Sequence, residues 1–189
     1  MPHDAVRVRL ADPATDAGAV AAIYRPAVES SIASFEEVAP DVPVVAARMV
    51  ATLERLPWLV AEVGSSVVGY AYAGAHRERA GYRWSVNVSV YVDPGWQGRG
   101  IGRALYQRLF ELLRRQGYVN AYAGIALPNA ASVALHRSMG MRQVARYERV
   151  GWKFGAWHDV AWYWLRLAEP VGTPPDPVPI GSLRQDERR

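Results

Sequence analysis

The apolar positions of this chain repeat at two periods, and the places where the period changes divide it into elements. From Ala5 to Leu10, Val6, Val8 and Leu10 alternate with Arg7 and Arg9, the pattern of a half-buried strand. Asp12-Pro13 and Thr15-Asp16 are start signals for a helix carrying Val20, Ile23, Tyr24 and Val28. Pro26 falls inside that pattern and predicts a kink or break near Arg25. Residues 29–40 read as a loop with one exposed aromatic, Phe35. A second helix is predicted from Val44 to Arg55 and closed by Pro57. Strand-like runs follow at Trp58–Val63, Val67–His76 and Arg83–Val92, joined by Gly64-Ser65-Ser66 and by the polar connection His76–Gly81. These connections make antiparallel pairing of all three the simplest topology.

After Val92 the period changes again. Asp93-Pro94-Gly95 stops the strand, Gly98, Gly100 and Gly102 alternate with Arg99, Ile101 and Arg103, and Ile101, Leu105, Leu109 and Leu112 then recur at helical spacing. The helix ends near Gly117, a strand follows from Val119 to Ala126, and Pro128-Asn129 opens a short helix stopped by Gly140. Two last strands are predicted near Val144–Trp152 and His158–Leu167. From Pro170 onward the chain is too rich in proline for regular packing, so 1–169 is read as one domain and 170–189 as an extended or disordered appendage.

Strand, glycine loop, helix is an arrangement with a chemistry. Glycines let backbone N–H groups approach a ligand, and a helix N-terminus attracts anions such as phosphate. Spacing separates three uses of this logic. Gly95 to Gly100 has Walker spacing, but Ile101-Gly102 follows where Lys-Ser/Thr is needed. A dinucleotide fingerprint fails because Arg103 or Leu105 stands at its last glycine. The third pattern, Q/R-x-x-G-x-G/A, is met by Gln97, Gly100 and Gly102.

That third pattern resembles the pyrophosphate loop of the GNAT superfamily of acyl-CoA-dependent N-acetyltransferases. The element order from Val6 to Leu167 is similar to the GNAT order. The resemblance implies an α/β fold with a mixed, mostly antiparallel central sheet, splayed after the fourth strand and flanked by about four helices. It also implies acetyl-CoA as acyl donor, held by Gln97, Gly98, Arg99, Gly100, Ile101, Gly102 and Arg103, and by the backbone of Val90, Tyr91 and Val92.

Tyr70-Ala-Tyr-Ala-Gly74, Ser89–Val92, Leu127-Pro-Asn129 and Gly151–Val160 further resemble the phosphinothricin and methionine sulfoximine acetyltransferase branch. In that branch small amino acids with a second anionic or polar head are acetylated on the amine. The resemblance assigns Asn129 to the pantetheine arm with Ser132 nearby, and His136 to the region of the leaving thiolate. It assigns Phe35, Arg77, Arg79 and Tyr82 to the amino-acid pocket, where guanidinium groups suit carboxylate or phosphinate oxygens. It also implies a homodimer formed in part by the aromatic region of the last two strands.

One position departs from the branch. Where it has a glutamate, the general base, this chain has Asn87, and an amide takes no proton at a working pH. Three readings stay open: a water relay, with Glu29 and Glu36 as candidate receivers; an acceptor amine acidic enough to be partly neutral unaided; or a protein that binds acetyl-CoA with little turnover. The expected function is acetyl transfer to a small amino acid by direct transfer in a ternary complex. The alternatives are a non-catalytic acetyl-CoA-binding protein and an acetyltransferase for another small amine.

Composition narrows the partners. A formal charge of +4 over 189 residues, without a Lys/Arg block, suits an anionic co-substrate and argues against nucleic acid. The absence of cysteine excludes an acyl-cysteine intermediate, disulfides and thiolate metal sites, so no metal is expected. No apolar run approaches a membrane span and no leader is evident at Met1–Arg7, so a soluble cytoplasmic protein is expected.

Overall fold

The computed structural model describes residues 6–170 and 172–186. A strand β1 (Arg7–Leu10) leads into helix α1 (Pro13–Glu29), which starts as the sequence predicts: Asp12 accepts the N–H of Ala14 at 3.0 Å and Pro13 follows. Ala5, the expected start of β1, lies outside the described residues. The break predicted at Pro26 does not occur, and α1 runs on to Glu29. Proline frees only the carbonyl of Ala22, which is on the exposed side, while buried Val20, Ile23 and Val28 anchor the helix on both flanks. Helix α2 (Val42–Leu53) begins at Asp41, whose carboxylate accepts from Val44 N–H.

Strands β2 (Trp58–Val63), β3 (Ser66–Ala75) and β4 (Ser85–Val92) pair antiparallel, as expected. Helix α3 (Ile101–Gln116) ends at Gly117 with φ 91°, and β5 (Asn120–Leu127) follows. Helix α4 (Ala130–Ser138), strands β6 (Arg142–Lys153) and β7 (Ala156–Arg166), and helix α5 (Ile180–Asp186) complete the order. The sheet has seven strands in the order β1-β2-β3-β4-β5-β7-β6, antiparallel throughout except for β4 beside β5. Among the described residues five α-helices flank it, against the about four expected.

The extra helix corrects the reading of 170–189. Ile180 and Leu183, one helical turn apart, enter the core beneath α3. Ahead of them, Gln116 donates to the carbonyls of Arg55 and Val178 at 2.7 and 2.8 Å, and Trp84 donates to the carbonyl of Pro175. Proline sets an extended path up to Ile180, but the segment is docked rather than free. Val171 and 187–189, also within that reading, lie outside the described residues.

Each face of the sheet has its own core. Ile101, Leu105, Leu109 and Leu113 of α3 pack on Val86, Val88, Ala121 and Ile125. On the opposite face α1 and α2 place Val20, Ile23, Val45 and Met49 on Trp58, Val60 and Tyr70. The alternation of β4 decides which side chain serves which face: Val86 and Val88 go under α3, and Asn87, Ser89 and Tyr91 go to the other side. Among the described residues no helix is long and apolar enough to cross a membrane.

Candidate active site

The site begins where pairing stops. β4 and β5 are in register only from Ser85–Asn87 to Asn120–Tyr122, whereas β4 stays paired with β3 as far as Val92. Val88 to Val92 therefore have a strand neighbour on one side only, and the sheet opens beside them. The gap widens into a cleft of about 700 Å³. It is bounded by Val88–Val92, by Gly124, Ile125 and Ala126 of β5, by the loop before α3, and by Asn129, Ser132 and His136.

The glycine loop closes one end. Asp93 accepts the N–H of Gly95 at 2.8 Å and fixes the turn that ends β4. Gly98 and Gly100 have φ of 74° and 81°, in the left-handed region where a Cβ is penalised. Gly102 packs closely, since a Cβ there would lie 3.0 Å from the Leu135 side chain, which would have to shift. Gly98, Gly100, Gly102 and Arg103 line the cleft at the N-terminus of α3, an arrangement suited to a diphosphate. Ile101 can contribute only backbone, because its side chain is 1% exposed in the core. Gln97 turns its amide back to the carbonyl of Val92, and Arg99 rests 4.8 Å over the Trp96 ring, outside the cleft lining. Tyr91 likewise offers backbone, its ring being stacked on Tyr70. These residues fit acetyl-CoA: loop N–H groups for the diphosphate and a strand edge for the amides of the pantetheine arm.

On the far wall Asn129 caps α4, accepting the N–H of Ser132 at 3.1 Å and leaving its NH2 available. His136 is 4% exposed. Its Nδ1 lies 2.7 Å from the carbonyl of Ser132 and must donate to it; Nε2, 2.9 Å from the Tyr106 oxygen, then accepts the tyrosine proton. Burial pushes the His136 pKa down, against the Ser132 hydrogen bond that raises it, so the ring is neutral with both nitrogens engaged. It lines the cleft wall, with Nε2 covered by the Tyr106 hydroxyl. Tyr106 also lines the cleft, its pKa pushed far up by complete burial. Sequence reasoning missed it; the signal was a phenol inside the apolar stripe of α3.

On the other face of the sheet the cleft is lined by Ile23, Ala27, Ser30, Ser31 and Ala33, and a further polar group gathers around Asn87 beside it. Asn87 is half-buried and its Oδ1 sits 2.8 Å from Nδ1 of His76. The His76 ring stacks on Tyr122 at 4.5 Å, and Tyr82 approaches it edge-on at 6.0 Å. Tyr82 thus joins this group, and His76 is a further residue the sequence reading left in a polar connection. Arg77 and Arg79 flank it in the chain but are exposed and, among the described residues, form no ion pair. Phe35 belongs to a separate cluster. Its ring lies on Gly151, where a Cβ would come within 2.3 Å, and 6.3 Å from His158. Beneath it Lys153 donates to the carbonyls of Val28 and Ser34, both at 2.6 Å, clamping the α1–α2 loop to the β6–β7 hairpin.

Glu29 and Glu36 do not stand ready to receive a proton. Glu29 is exposed and paired with Arg25. Glu36 accepts from both terminal nitrogens of Arg48 and from the Tyr24 hydroxyl, and the Arg48 bonds hold its pKa below the usual carboxylate range. Among the described residues no cluster of side chains suited to a metal ion is found.

Residues 24–141 match the profile of the acetyltransferase (GNAT) family. The chain belongs to that family. A phosphinothricin N-acetyltransferase of Streptomyces viridochromogenes is 39% identical over 87% of this chain and 89% of its own length. An L-methionine sulfoximine/L-methionine sulfone acetyltransferase of Salmonella typhimurium is 40% identical over 86% and 95%. In structure, a GNAT superfamily phosphinothricin acetyltransferase of Sinorhizobium meliloti, solved with acetyl-CoA, superposes with a TM-score of 0.86 at 33% identity, covering 92% of this chain and 95% of that one.

Proposed function

We propose that this GNAT protein transfers the acetyl group of acetyl-CoA to the α-amine of a small amino acid with a second polar or anionic head, of the phosphinothricin or methionine sulfoximine type. The observation that carries the reading is the gap after Asn87, which opens directly from the left-handed glycine loop. Identity near 40% to relatives with those substrates, over nearly their whole length, supports the acceptor class. Acetyl-CoA supplies an activated thioester. The chain's own contribution is positional: loop N–H groups and Arg103 hold the diphosphate, and the β4 edge aligns the arm. Asn129 and Ser132 bound the arm, while the His136–Tyr106 pair places a phenol beside the departing sulfur. Tyr82, Arg77 and Arg79 serve the acceptor from the end of β3, and Phe35, in its separate cluster, serves it from the α1–α2 loop. Transfer is direct within a ternary complex, and an acyl-cysteine intermediate is excluded because the chain has no cysteine.

A second reading, an acetyl-CoA-binding protein without turnover, is favoured by Asn87 alone. Thiol release from acetyl-CoA with phosphinothricin, methionine sulfoximine, methionine sulfone and ordinary L-amino acids separates the two. Turnover on one of these acceptors is expected. Tight CoA binding by calorimetry with no turnover on any would leave the binding protein.

The same reading includes a homodimer working in the cytoplasm. Trp152, Phe154 and Trp157 are half or more exposed around the β6–β7 turn, and Tyr147 and Val150 add to the patch. β6 is also a sheet edge, and such a surface is ordinarily covered. Sedimentation should show a dimer that Trp157→Glu dissociates; a monomeric wild type would refute it.

A further inference from the structure

We infer that His76 is the proton acceptor of this enzyme, held in its working tautomer by Asn87; the inference rests on the acetyltransferase reading above. The register places Asn87 of β4 opposite Gly74 of β3, so a side chain two residues beyond Gly74 can fold over the end of the strand onto Asn87. His76 does this. An amide oxygen only accepts, so the 2.8 Å contact puts the hydrogen on Nδ1 and the lone pair on Nε2. Stacking on Tyr122 fixes the plane of the ring.

Asn87 and Tyr122 are the last paired residues of β4 and β5, and the next residue of β4, Val88, already lines the cleft. His76 therefore lies beside the point where β4 and β5 part, next to the cleft rather than among the residues that line it. The groups facing it are the phenols of Tyr82 and Tyr122, the indole of Trp162 and the amide of Asn87; among the described residues no charged side chain is bonded to it. Trp162 Nε1 is buried with no hydrogen-bond partner among the described residues, an unused donor beside the same slot.

Of the other described histidines, one is fully bonded and the other, on the β6–β7 hairpin, stands with Phe35. His136 has both nitrogens bonded, and Nε2 of His158 donates to the carbonyl of Lys153 at 3.0 Å. Nε2 of His76 has no partner among the described residues, and the half-exposed ring can return a proton to solvent.

The proton balance closes. The acceptor arrives as an ammonium and gives one proton to Nε2. The freed amine attacks the thioester carbon, so that a C–N bond forms and the C–S bond breaks. The second nitrogen-bound proton ends on the departing sulfur, and the imidazolium releases the first to water. The sum is ammonium plus acetyl thioester giving N-acetyl amine, thiol and one proton. Asn87 is then a positioning residue rather than a missing base.

The test is steady-state kinetics of wild type, His76→Gln, Asn87→Ala and Asn87→Asp with the best acceptor found. His76→Gln should lower kcat/KM by about 10²–10⁴ at neutral pH, the usual worth of a general base. CoA affinity by calorimetry should be unchanged, which also reports that the variant is folded. The acid limb of the wild-type pH profile should vanish in His76→Gln, leaving a rate that climbs with the amine's own ionisation. An amino-acid ester, whose amine is less basic, should shrink the ratio of wild-type to variant rates. Asn87→Ala should lower kcat with little change in KM, and Asn87→Asp should restore the plateau rate while moving the acid limb of the profile to higher pH. Wild-type turnover that His76→Gln matches within about threefold overturns His76 and leaves the acetyltransferase reading standing. A wild type that binds CoA and acetylates nothing overturns both.

Discussion

Lys153 offers the sharpest test of how the acceptor side is held. Its Nζ makes two 2.6 Å hydrogen bonds, to the carbonyl of Val28 at the end of α1 and to that of Ser34 in the following loop. The residue is 7% exposed, Val28 is 1% and Ser34 is 8%. Lys153→Met keeps the length and apolar stem but removes the ammonium, and two effects oppose each other. Burial holds the Lys153 pKa below the ordinary lysine range, so removing the charge relieves a desolvation cost. Against this, two buried carbonyls lose their donor, each costing about 1–3 kcal/mol. The second effect wins because one ammonium satisfies both carbonyls, giving a net loss of about 2–4 kcal/mol. For a chain of this size that is a fall in melting temperature on the order of 5–15 °C. The α1–α2 loop can also release locally, which would cap the global loss and appear as faster amide exchange across residues 30–40. Calorimetric melting with hydrogen exchange reads both. Kinetics should show a raised KM for the amine with unchanged affinity for CoA. A melting temperature within about 2 °C of wild type, with unaltered exchange in the loop, would refute the clamp.

Gly100→Val should cost about 1–2 kcal/mol in stability, because φ is 81°, yet leave the fold intact since no atom lies within 4 Å of the added Cβ. CoA affinity should drop at least tenfold, about 1.4 kcal/mol, and an unchanged calorimetric Kd would refute the loop's role. Leu183→Ala should destabilise by about 2–4 kcal/mol if α5 is part of the core; a neutral result in urea unfolding would return the segment to an appendage. His136 is buried with a depressed pKa, so the unfolded chain binds a proton before the folded one does. Its contribution to stability is full above about pH 6.5 and declines as pH falls through that value toward the folded pKa. His136→Gln should flatten the stability profile between about pH 5 and 7; an unchanged slope would show the ring is not held neutral.

What was legible from the sequence was what depends on neighbours in the chain. The strand-like runs at Trp58–Val63 and Val67–His76, the helical spacing from Ile101, and the caps at Asp12, Gly117 and Asn129 are all local signals, and the elements they predict formed within a few residues of their expected places. Pro26 was misleading because its local cost is outweighed by burial on both sides. The Ile180–Leu183 pair was hidden by the prolines before it and by having only one apolar turn to display. The residues that define the chemistry were least visible. His76 meets Asn87 through strand register, His136 meets Tyr106 across 30 positions, and Lys153 reaches Val28 across 125. Glu36 looked available until Arg48, 12 residues on, was brought against it. A single chain displays residue types, but whether a titratable group is free or committed is decided by the fold.

The end of pairing between β4 and β5 ties these contacts together. Had the two strands continued in register past Asn87 and Tyr122, Val88–Val92 would have spent their backbone groups on β5, leaving no edge for a donor. The glycine loop alone could still bind a diphosphate, but with nothing to carry the arm into the protein. The same interruption leaves Asn87 and Tyr122 as the last fixed points on the acceptor face, where side chains held by a rigid sheet are placed more precisely than any loop could place them. An amide at position 87 is a liability if it must itself take a proton. It is well suited if its task is to present an oxygen to an imidazole, because a neutral acceptor sets the tautomer without trapping the protonated ring as a carboxylate would. The departure from glutamate thus reads as a relocation of the base by one side chain, from β4 onto the end of β3. Asn87→Glu discriminates between the two accounts: if the base were absent, the variant should gain about tenfold or more at neutral pH, whereas with His76 in place it should instead move the acid limb of the pH profile to higher pH with little gain at the plateau.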